Sequence, residues 1–175
     1  MRNKIMDRFI AYYTEMKRVY DHKEYEAALA QLRRMHEENV IPETKMWMYH
    51  QAAGLALFWL GEMEASLQHL RQAWLEPGDM TLDTQQRIYS NYLMYLHYLP
   101  GITDEEMRIE HFRYAELFHQ IRTFSHEKKK KKKLRLGYLS PDFVDHIVTN
   151  FSVQLFACYD RSRYEVILYS TGMRK

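Results

Sequence analysis

The sequence predicts a mainly α-helical protein that is followed by the start of an α/β domain. Three observations lead to this fold class: an internal repeat in the first two thirds of the chain, a run of six lysines at residues 128–133, and a change from helical to strand-like patterning after it. We therefore expect a helical repeat region at residues 1–125, a lysine-rich linker at 126–133 and an α/β segment at 134–175.

The composition is that of a globular chain with few breaks in its secondary structure. The 175 residues are 46% apolar and 27% charged, with only six glycines and four prolines. The charged N-terminus lacks the apolar stretch of a signal peptide, and the longest uncharged apolar run, residues 52–61, is about half the length that crosses a bilayer. These features predict a cytoplasmic protein without a membrane partner. The single cysteine, Cys158, excludes an internal disulfide and is interpreted as a small buried residue on a helix.

The internal repeat is visible when residues 24–35 are aligned with residues 62–73. Six of the twelve positions are identical: Glu24/Glu62, Glu26/Glu64, Ala27/Ala65, Leu29/Leu67, Leu32/Leu70 and Arg33/Arg71. The distance between the two copies is typical of stacked helical hairpins, which bury their apolar faces only against neighbouring hairpins.

Small residues in the second copy predict two helices in close approach. Gly54, Gly61, Ser66 and Ala73 fall at the spacing expected of such a hairpin, and Pro77 closes the unit. This pattern resembles a tetratricopeptide repeat. The first copy has larger residues and no matching glycines; its apolar positions are Tyr12, Met16, Val19, Tyr25, Ala28, Leu32 and Met35.

A third helical pair is predicted at residues 85–99 and from Thr103 onward. Its first helix carries a row of tyrosines, Tyr89, Tyr92, Tyr95 and Tyr98. The row either stacks on a ligand or peptide, or forms a packed seam between helices with its hydroxyls in water, and the seam is favoured. Thr103 and Glu106 form a capping-box pattern for the second helix. An apolar stripe is expected there at Phe112, Ala115, Phe118 and Ile121.

The lysine run at residues 128–133 predicts an extended, solvated connector, because consecutive like charges repel one another. Clustered lysines also neutralise phosphates, but no aromatic residue interrupts the run to stack on bases. Nucleic acid is therefore an unfavoured partner, and a helical RNA-associated protein is the last-ranked of the alternatives.

The segment after the lysines predicts a βαβ unit. Residues 134–139 and 164–169 have strand-like patterns, and residues 147–159 between them are long enough for a helix. The two strands should be parallel. Ligands of such sheets collect at the carboxyl ends of the strands, which gives the loop at residues 140–146 a ligand-facing position.

Four residues of this loop are candidates for chemistry. Ser140 and Asp142 are candidate substrate contacts or parts of a Pro-Asp turn, and Asp145 is a candidate substrate contact or the cap of the following helix. His146 is the candidate catalytic residue, or a structural or exposed histidine. The loop lacks a GxGxxG fingerprint, and no cofactor or metal is expected.

The loop and its flanks carry a specific family resemblance. Residues 134–172 contain the signature SPDF-xx-H at 140–146 and YD-x-x-R-Y-E-V at 159–166. They resemble the opening of the catalytic region of the O-linked N-acetylglucosamine transferase family, glycosyltransferase family 41, particularly its bacterial members with tetratricopeptide repeats. Residues 90–118 are similar to the segment that joins repeats to catalytic lobes in that family.

The resemblance implies a two-lobed glycosyltransferase that transfers N-acetylglucosamine from UDP-N-acetylglucosamine (UDP-GlcNAc) to Ser or Thr of proteins, with inversion and without a metal. It implies that His146 occupies the position of an active-site histidine. That histidine either accepts the proton of the acceptor hydroxyl or orients the donor by hydrogen bonding. This chain departs from many family members at Ile147, where they have proline.

A larger departure is that the family's second lobe and remaining sheet do not follow within these residues. We therefore expect the N-terminal portion of such a transferase, inactive as this truncated chain and able to use a UDP-sugar only if the missing lobe is supplied. The helical repeats are expected to hold an acceptor protein or peptide. The alternative function is a tetratricopeptide-repeat scaffold that binds a peptide or protein partner without chemistry.

Overall fold

The computed structural model describes residues 2–76, 78–118, 122, 124–125 and 132–172. These residues belong to two compact units, Met1–Arg122 and Thr123–Lys175. The first is helical and the second contains a small parallel sheet, which confirms the predicted fold class of helical hairpins followed by the start of an α/β domain. Most of the expected lysine-rich linker, residues 126–131, and the predicted positions of Pro77 and Ile121 lie outside the described residues.

Six α-helices lie in the described part of the first unit, and each contacts the next one along the chain. Their bounds are α1 Arg2–Asp21, α2 Tyr25–Glu37, α3 Met46–Trp59, α4 Met63–Leu75, α5 Leu82–Leu96 and α6 Asp104–Glu116. A short 3₁₀ turn, Glu43–Lys45, precedes α3. The first two hairpins, α1–α2 and α3–α4, therefore correspond to the two copies of the sequence repeat.

The close approach predicted for the second hairpin is present between α3 and α4. The Ser66 hydroxyl donates a hydrogen bond of 2.7 Å to the carbonyl oxygen of Gly54, and both residues are buried. A Cβ at Gly54 would lie 2.7 Å from Cγ of Leu70. The same Cβ would lie 3.0 Å from the Ser66 carbonyl oxygen, so the lack of a side chain at Gly54 permits the close approach of the two backbones. In the first hairpin the matching positions are held by Met16 and Ala28, which are also buried.

The turns of the two hairpins share a backbone conformation but differ in residue. Gly61, between α3 and α4, has a φ of +82°, and Lys23, between α1 and α2, has a φ of 65°. Glycine adopts this left-handed region without steric cost, whereas a residue with a Cβ is strained there. The first hairpin thus keeps the geometry of the repeat without its glycine.

The buried side chains of the helical unit form two apolar clusters. One is made by α1, α2, α3 and the segment after α2, and its largest fully buried members are Leu32, Met35 and Val40. The other is made by α4 and α5, with Leu70, Ile88 and Tyr89 at its centre. Stacking of successive hairpins buries these side chains, as expected of helical repeats.

The tyrosine row of α5 is a packed seam, as favoured from the sequence. Tyr89, Tyr92 and Tyr95 are all buried. The hydroxyl of Tyr89 does not reach water, however, but donates to the Glu110 carboxylate at 2.9 Å. Tyr98 lies beyond the end of the helix and is exposed. The predicted start of α5 at residue 85 is wrong by three residues, because Thr81 caps the helix by accepting from the Thr84 N–H.

The predicted capping box of α6 is confirmed, but its predicted apolar stripe is wrong at Phe112 and Ala115. Thr103 accepts from the Glu106 N–H, and the Glu106 carboxylate accepts from the Thr103 N–H. Phe112 is 63% exposed and Ala115 is also exposed. The side of α6 that packs on α5 carries instead Met107, Glu110, Tyr114 and Leu117.

The second unit is a βαβ unit with the predicted parallel strands. Strand β1, Leu134–Ser140, pairs with β2, Tyr164–Ser170, in a register that runs from Leu134↔Tyr164 to Ser140↔Ser170. Helix α7, Ile147–Ala157, connects them. Phe156 of this helix makes edge contacts with Tyr138 on β1 and with Phe143 in the following loop. These rings hold the helix against one face of the sheet.

Two further expectations concern burial and membranes. The expectation of a buried Cys158 on a helix is wrong: Cys158 follows the last residue of α7 as its C-cap and is exposed. Among the described residues, no helix combines the length and the apolar character needed to cross a membrane.

Candidate functional site

The candidate site is the loop of residues 141–146, which connects β1 to α7. It leaves the carboxyl end of β1 at Ser140, directly beside Ser170 at the carboxyl end of β2. The Thr171 N–H also donates to the Ser140 carbonyl at 3.2 Å, which continues the pairing one step past the strands. In parallel sheets this edge is the one at which ligands bind.

Ser140 and Asp142 hold the first turn of the loop. The Ser140 hydroxyl accepts from the Asp142 N–H at 3.0 Å, and the Asp142 carbonyl accepts from the Thr149 hydroxyl at 2.8 Å. The same hydroxyl donates to the Val144 carbonyl at 2.8 Å. Both candidate residues are half-buried. Their hydrogen bonds fix the path of the loop over the first turn of α7.

His146, and not the predicted Asp145, caps α7. The backbone of His146 is extended, with φ −146° and ψ 152°, and its Nδ1 accepts from the Val148 N–H at 3.2 Å. This is the geometry of an N-cap residue, whose side chain satisfies one of the unpaired N–H groups of the first turn. Asp145 stands one residue earlier and is exposed. The expectation that Asp145 caps the helix is therefore wrong.

The cap determines which chemistry the imidazole can perform. A ring nitrogen that accepts a hydrogen bond carries no proton, so the neutral imidazole of His146 has its hydrogen on Nε2. In this state Nε2 can donate a hydrogen bond to a substrate oxygen. For the imidazole to accept a proton from a substrate, Nδ1 must first give up its cap bond to the Val148 N–H.

The edge includes residues that sequence reasoning did not single out. The Ser170 hydroxyl lies 3.5 Å from the Phe143 carbonyl, and a Cβ at Gly172 would overlap the Pro141 carbonyl oxygen. Glycine at 172 thus lets the chain after β2 pass close to the candidate loop. The sequence signal for it was available, because Ser-Thr-Gly follows directly on the second strand pattern.

The candidate loop is open to solvent. Asp145 and His146 are both exposed, as is Ile147 at the start of α7. Within the described ranges, no three or more His, Cys, Asp or Glu side chains are grouped so that they could hold a metal ion.

A second candidate site lies on the face that α1, α3 and α5 share, which we call the odd-helix face. A cavity of about 160 Å³ between α1 and α3 is lined by Tyr13, Met16, Lys17, Tyr20, Asp21, Gln51, Ala52 and Leu55. A cavity of about 380 Å³ between α3 and α5 is lined by Trp47, Gln51, Thr84, Arg87, Ser90 and Asn91. Gln51 lines both, so the two cavities are neighbours along one face.

The odd-helix face has little net charge and many neutral hydrogen-bonding groups. The Lys17 ammonium pairs with the Asp21 carboxylate at 2.8 Å, and Arg87 lies 3.3 Å from the Asp83 carboxylate. Amide side chains such as Gln51 carry both donors and acceptors, which match the N–H and C=O groups of a polypeptide backbone. The face can therefore contact an extended peptide without selecting for its charge.

Relatives of this chain were found among known proteins. It is 29% identical over 88 residues to a Petunia hybrida protein named probable UDP-N-acetylglucosamine–peptide N-acetylglucosaminyltransferase SPINDLY, covering 48% of this chain and 9% of that protein. It is 31% identical over 84 residues to the Oryza sativa subsp. japonica protein of the same name, covering 46% of this chain and 9% of that one. No family model matches the chain.

A solved structure shares the fold. The chain superimposes on a mutant of the Thermobaculum terrenum O-GlcNAc transferase with a TM-score of 0.58 and 24% sequence identity, covering 86% of this chain and 28% of that one. The chain spans about a tenth of the length of the curated relatives that it matches. Together these similarities confirm the resemblance to the O-linked N-acetylglucosamine transferase family that the sequence signature predicted.

Proposed function

We propose that this chain, as a relative of the O-linked N-acetylglucosamine transferases, forms part of an enzyme that transfers N-acetylglucosamine from UDP-GlcNAc to Ser or Thr hydroxyls of proteins. In this proposal the helical unit holds the acceptor protein and the loop of residues 141–146 faces the sugar donor. The parallel pairing of β1 with β2 is the observation that carries the proposal, because it puts the SPDF-xx-H signature at the ligand-binding edge of the sheet.

His146 acts in this proposal as a hydrogen-bond donor that orients the donor substrate. Its Nδ1 is engaged by the Val148 N–H, which favours the tautomer with a hydrogen on Nε2. In an inverting transfer the acceptor oxygen bonds to the anomeric carbon, while the bond to the UDP oxygen breaks and UDP leaves with its electrons. The proton of the acceptor hydroxyl passes through water to the departing UDP phosphate. A donor at Nε2 can hold a sugar or phosphate oxygen in position for this displacement.

The other three candidate residues have two kinds of role: two hold the loop in position and one contacts the substrate. Ser140 shapes the loop through its hydroxyl, which accepts from the Asp142 N–H, and Asp142 through its main-chain N–H and C=O groups, so replacing the Ser140 side chain should misplace His146. Asp145 is exposed beside His146, and its carboxylate can accept from a sugar hydroxyl. We therefore assign positioning roles to Ser140 and Asp142 and a substrate contact to Asp145.

We further infer that these residues by themselves do not turn over UDP-GlcNAc. Small-molecule sites enclose roughly 70–90% of the ligand surface. Here Asp145 and His146 are exposed, and a single two-stranded sheet carries the loop. Catalysis accordingly requires further protein surface over this edge.

A chimera tests the proposed function. The part of the Thermobaculum terrenum enzyme that this chain matches in structure is replaced by this chain, and glycosylation of a Ser/Thr peptide is measured with radiolabelled UDP-GlcNAc. We expect activity in the chimera, a loss of at least about a hundredfold in His146→Ala, and little loss in the matched control His111→Ala, an exposed histidine of α6. An active chimera that tolerates His146→Ala would refute the proposed role.

A second candidate function is supported by the odd-helix face. The two neighbouring cavities joined at Gln51, with paired charges and neutral polar groups, suit an extended peptide. In this case the helical unit is a scaffold that binds a partner without chemistry. The function differs from the first because it needs neither His146 nor a sugar donor.

Fluorescence titration with a library of uncharged Ser/Thr-rich peptides tests the scaffold function, since Trp47 lines one cavity. Peptide binding that is weakened about tenfold by Gln51→Ala and is unchanged by His146→Ala would support it. Binding that does not respond to Gln51→Ala would exclude the odd-helix face as the peptide site.

A further inference from the structure

Three histidines from three successive helices surround one tyrosine ring in the helical unit. The centre of the Tyr49 ring lies 5.5 Å from that of His36 on α2, 5.1 Å from that of His50 on α3 and 5.9 Å from that of His69 on α4. Neither the proposed transfer reaction nor the odd-helix face uses these residues. We call this group the histidine cluster.

Two members of the cluster share a hydrogen bond. The Nδ1 atoms of His50 and His69 lie 3.0 Å apart, and both side chains are half-buried. Two ring nitrogens at this distance require one proton between them, so that one donates and the other accepts. If both Nδ1 atoms carried a proton, both would be donors and the hydrogen bond would be lost. Two positively charged rings would then face each other.

The pair lies on the seam where α3 and α4 approach most closely. His50 is one helical turn before Gly54, and His69 is one turn after Ser66, the two residues whose 2.7 Å hydrogen bond joins the helices. Gln51, the neighbour of His50, lines both cavities of the odd-helix face. A change in the separation of α3 and α4 would therefore move Gln51 and alter both cavities of the odd-helix face.

We propose that the His50–His69 pair is a proton-operated latch of the second hairpin: one hydrogen between the two Nδ1 atoms holds α3 against α4, and protonation of both Nδ1 atoms releases it. The proposal rests on the 3.0 Å contact between the two ring nitrogens and on the seam in which it lies. It does not depend on the glycosyltransferase function.

The surroundings favour the neutral rings at ordinary pH. Burial lowers the pKa of His50 to about 4, helped by the neighbouring charges of His69 and His36, and burial also lowers the pKa of His69. On α2, Arg33 acts on Tyr49 and adds positive charge near the cluster. Among the described residues of α5, which also packs on α4, none acts electrostatically on either ring.

The direction of the pH effect follows from these lowered pKa values. The folded hairpin binds fewer protons than the unfolded chain, so the stabilisation is complete above the unfolded pKa of His, roughly 6.5. It is lost as the pH falls from there toward 4, the region in which folded His50 takes up its proton. Acidification should thus open the second hairpin before the first.

Titration by NMR tests the latch directly in the full chain, with EDTA present so that only protons compete for the ring nitrogens. We expect the ring carbon-bound protons of His50 and His69 to titrate together and well below the ordinary histidine pKa. The exposed pair His97 and His111, whose ring centres are 5.8 Å apart, is the matched control recorded in the same spectra. Independent, ordinary titration of His50 and His69 would overturn the proposal.

Urea unfolding provides a second readout. Between pH 7.5 and 5.0 the unfolding equilibrium constant of the wild type should rise ~10-fold more than that of His50→Gln/His69→Gln, allowing for partial solvent screening. His97→Gln/His111→Gln should behave as the wild type. Identical pH dependence in the wild type and His50→Gln/His69→Gln would contradict the latch. If that variant does not fold, the titration of the wild type decides.

Discussion

The helical unit and the βαβ unit differ in how much of their apolar surface they bury. The buried apolar residues run from Phe9 to Leu96, all in the helical unit, whereas no described residue of the βαβ unit is buried. Helix α7 leaves Phe151 80% exposed, along with Ile147 and Leu155. The helical unit has the core needed for independent stability, while the βαβ unit has one helix on one face of two strands.

This difference explains how the two units are suited to their proposed roles. Stacked hairpins gain stability from each neighbour, so α1 to α5 can present a firm face to a partner. A parallel sheet is normally covered on both faces, so β1 and β2 with α7 require additional protein to become rigid. The loop that carries His146 would therefore be fixed in the geometry of its proposed role only when that cover is present.

The largest effect should come from removing a core side chain of the helical unit. Leu70 is fully buried against Gly54, so Leu70→Ala should lower the free energy of unfolding by about 3 kcal/mol through lost burial and a cavity. Phe151→Ala, at the most exposed apolar residue of α7, should change it by less than about 0.5 kcal/mol. Urea denaturation followed by circular dichroism measures both. Equal losses in the two variants would remove the contrast between the units.

Within the helical unit, the two hairpins should respond to opposite changes in volume. Gly54→Ala forces a Cβ to within 2.7 Å of Leu70 and should cost about 1–2 kcal/mol. Met16→Ala, at the matching position of the first hairpin, should cost about 2–3 kcal/mol because it empties a site that is 2% exposed. The same denaturation experiment applies. A neutral Gly54→Ala would show that the close approach of α3 and α4 is not required.

The two hairpin turns provide a smaller, reciprocal test. Lys23 has a φ of 65° and should be strained, so Lys23→Gly should stabilise the chain by about 1 kcal/mol. Gly61 has a φ of +82° with open space around its Cα, and Gly61→Ala should destabilise by a similar amount through backbone strain alone. Thermal unfolding of both variants checks the signs. Destabilisation by Lys23→Gly would indicate that its side chain contributes more than its strain costs.

The most local effect should be confined to the βαβ unit. His146→Ala removes the cap of α7 and should weaken the start of that helix by about 1 kcal/mol, whereas His146→Asn should retain the cap through its amide oxygen. Amide hydrogen exchange of Val148 and Thr149 reports the difference locally. If the alanine and asparagine variants exchange alike, Nδ1 of His146 does not cap the helix, and the tautomer argument for its role fails.

Much of the fold could be predicted because local patterns repeat or have a single explanation. Six identities between residues 24–35 and 62–73 revealed the hairpins, and Thr103 with Glu106 marked the start of α6. Two strand patterns flanking a helix allow few topologies, and the parallel pair followed from that. The position of the candidate loop could be predicted as well, since it depends only on where β1 ends.

The wrong predictions depended on which side chains of a helix face its neighbour, or on which residue caps a helix. Positions three apart in a helix drift by about 60° per step, so Phe112 and Ala115 left the face that contacts α5. The same drift and the end of α5 left Tyr98 exposed. Aspartate is the commoner cap, and nothing in the sequence indicated that His146 would take this place from Asp145.

Native-state hydrogen exchange of the full chain, resolved by residue, tests most directly whether one unit has a self-sufficient core and the other lacks one. We predict that amides of α3 and α4 exchange only through global unfolding. Amides of β1, β2 and α7 should exchange at least about a thousandfold faster, through local opening. Equal protection across the two units would contradict the account.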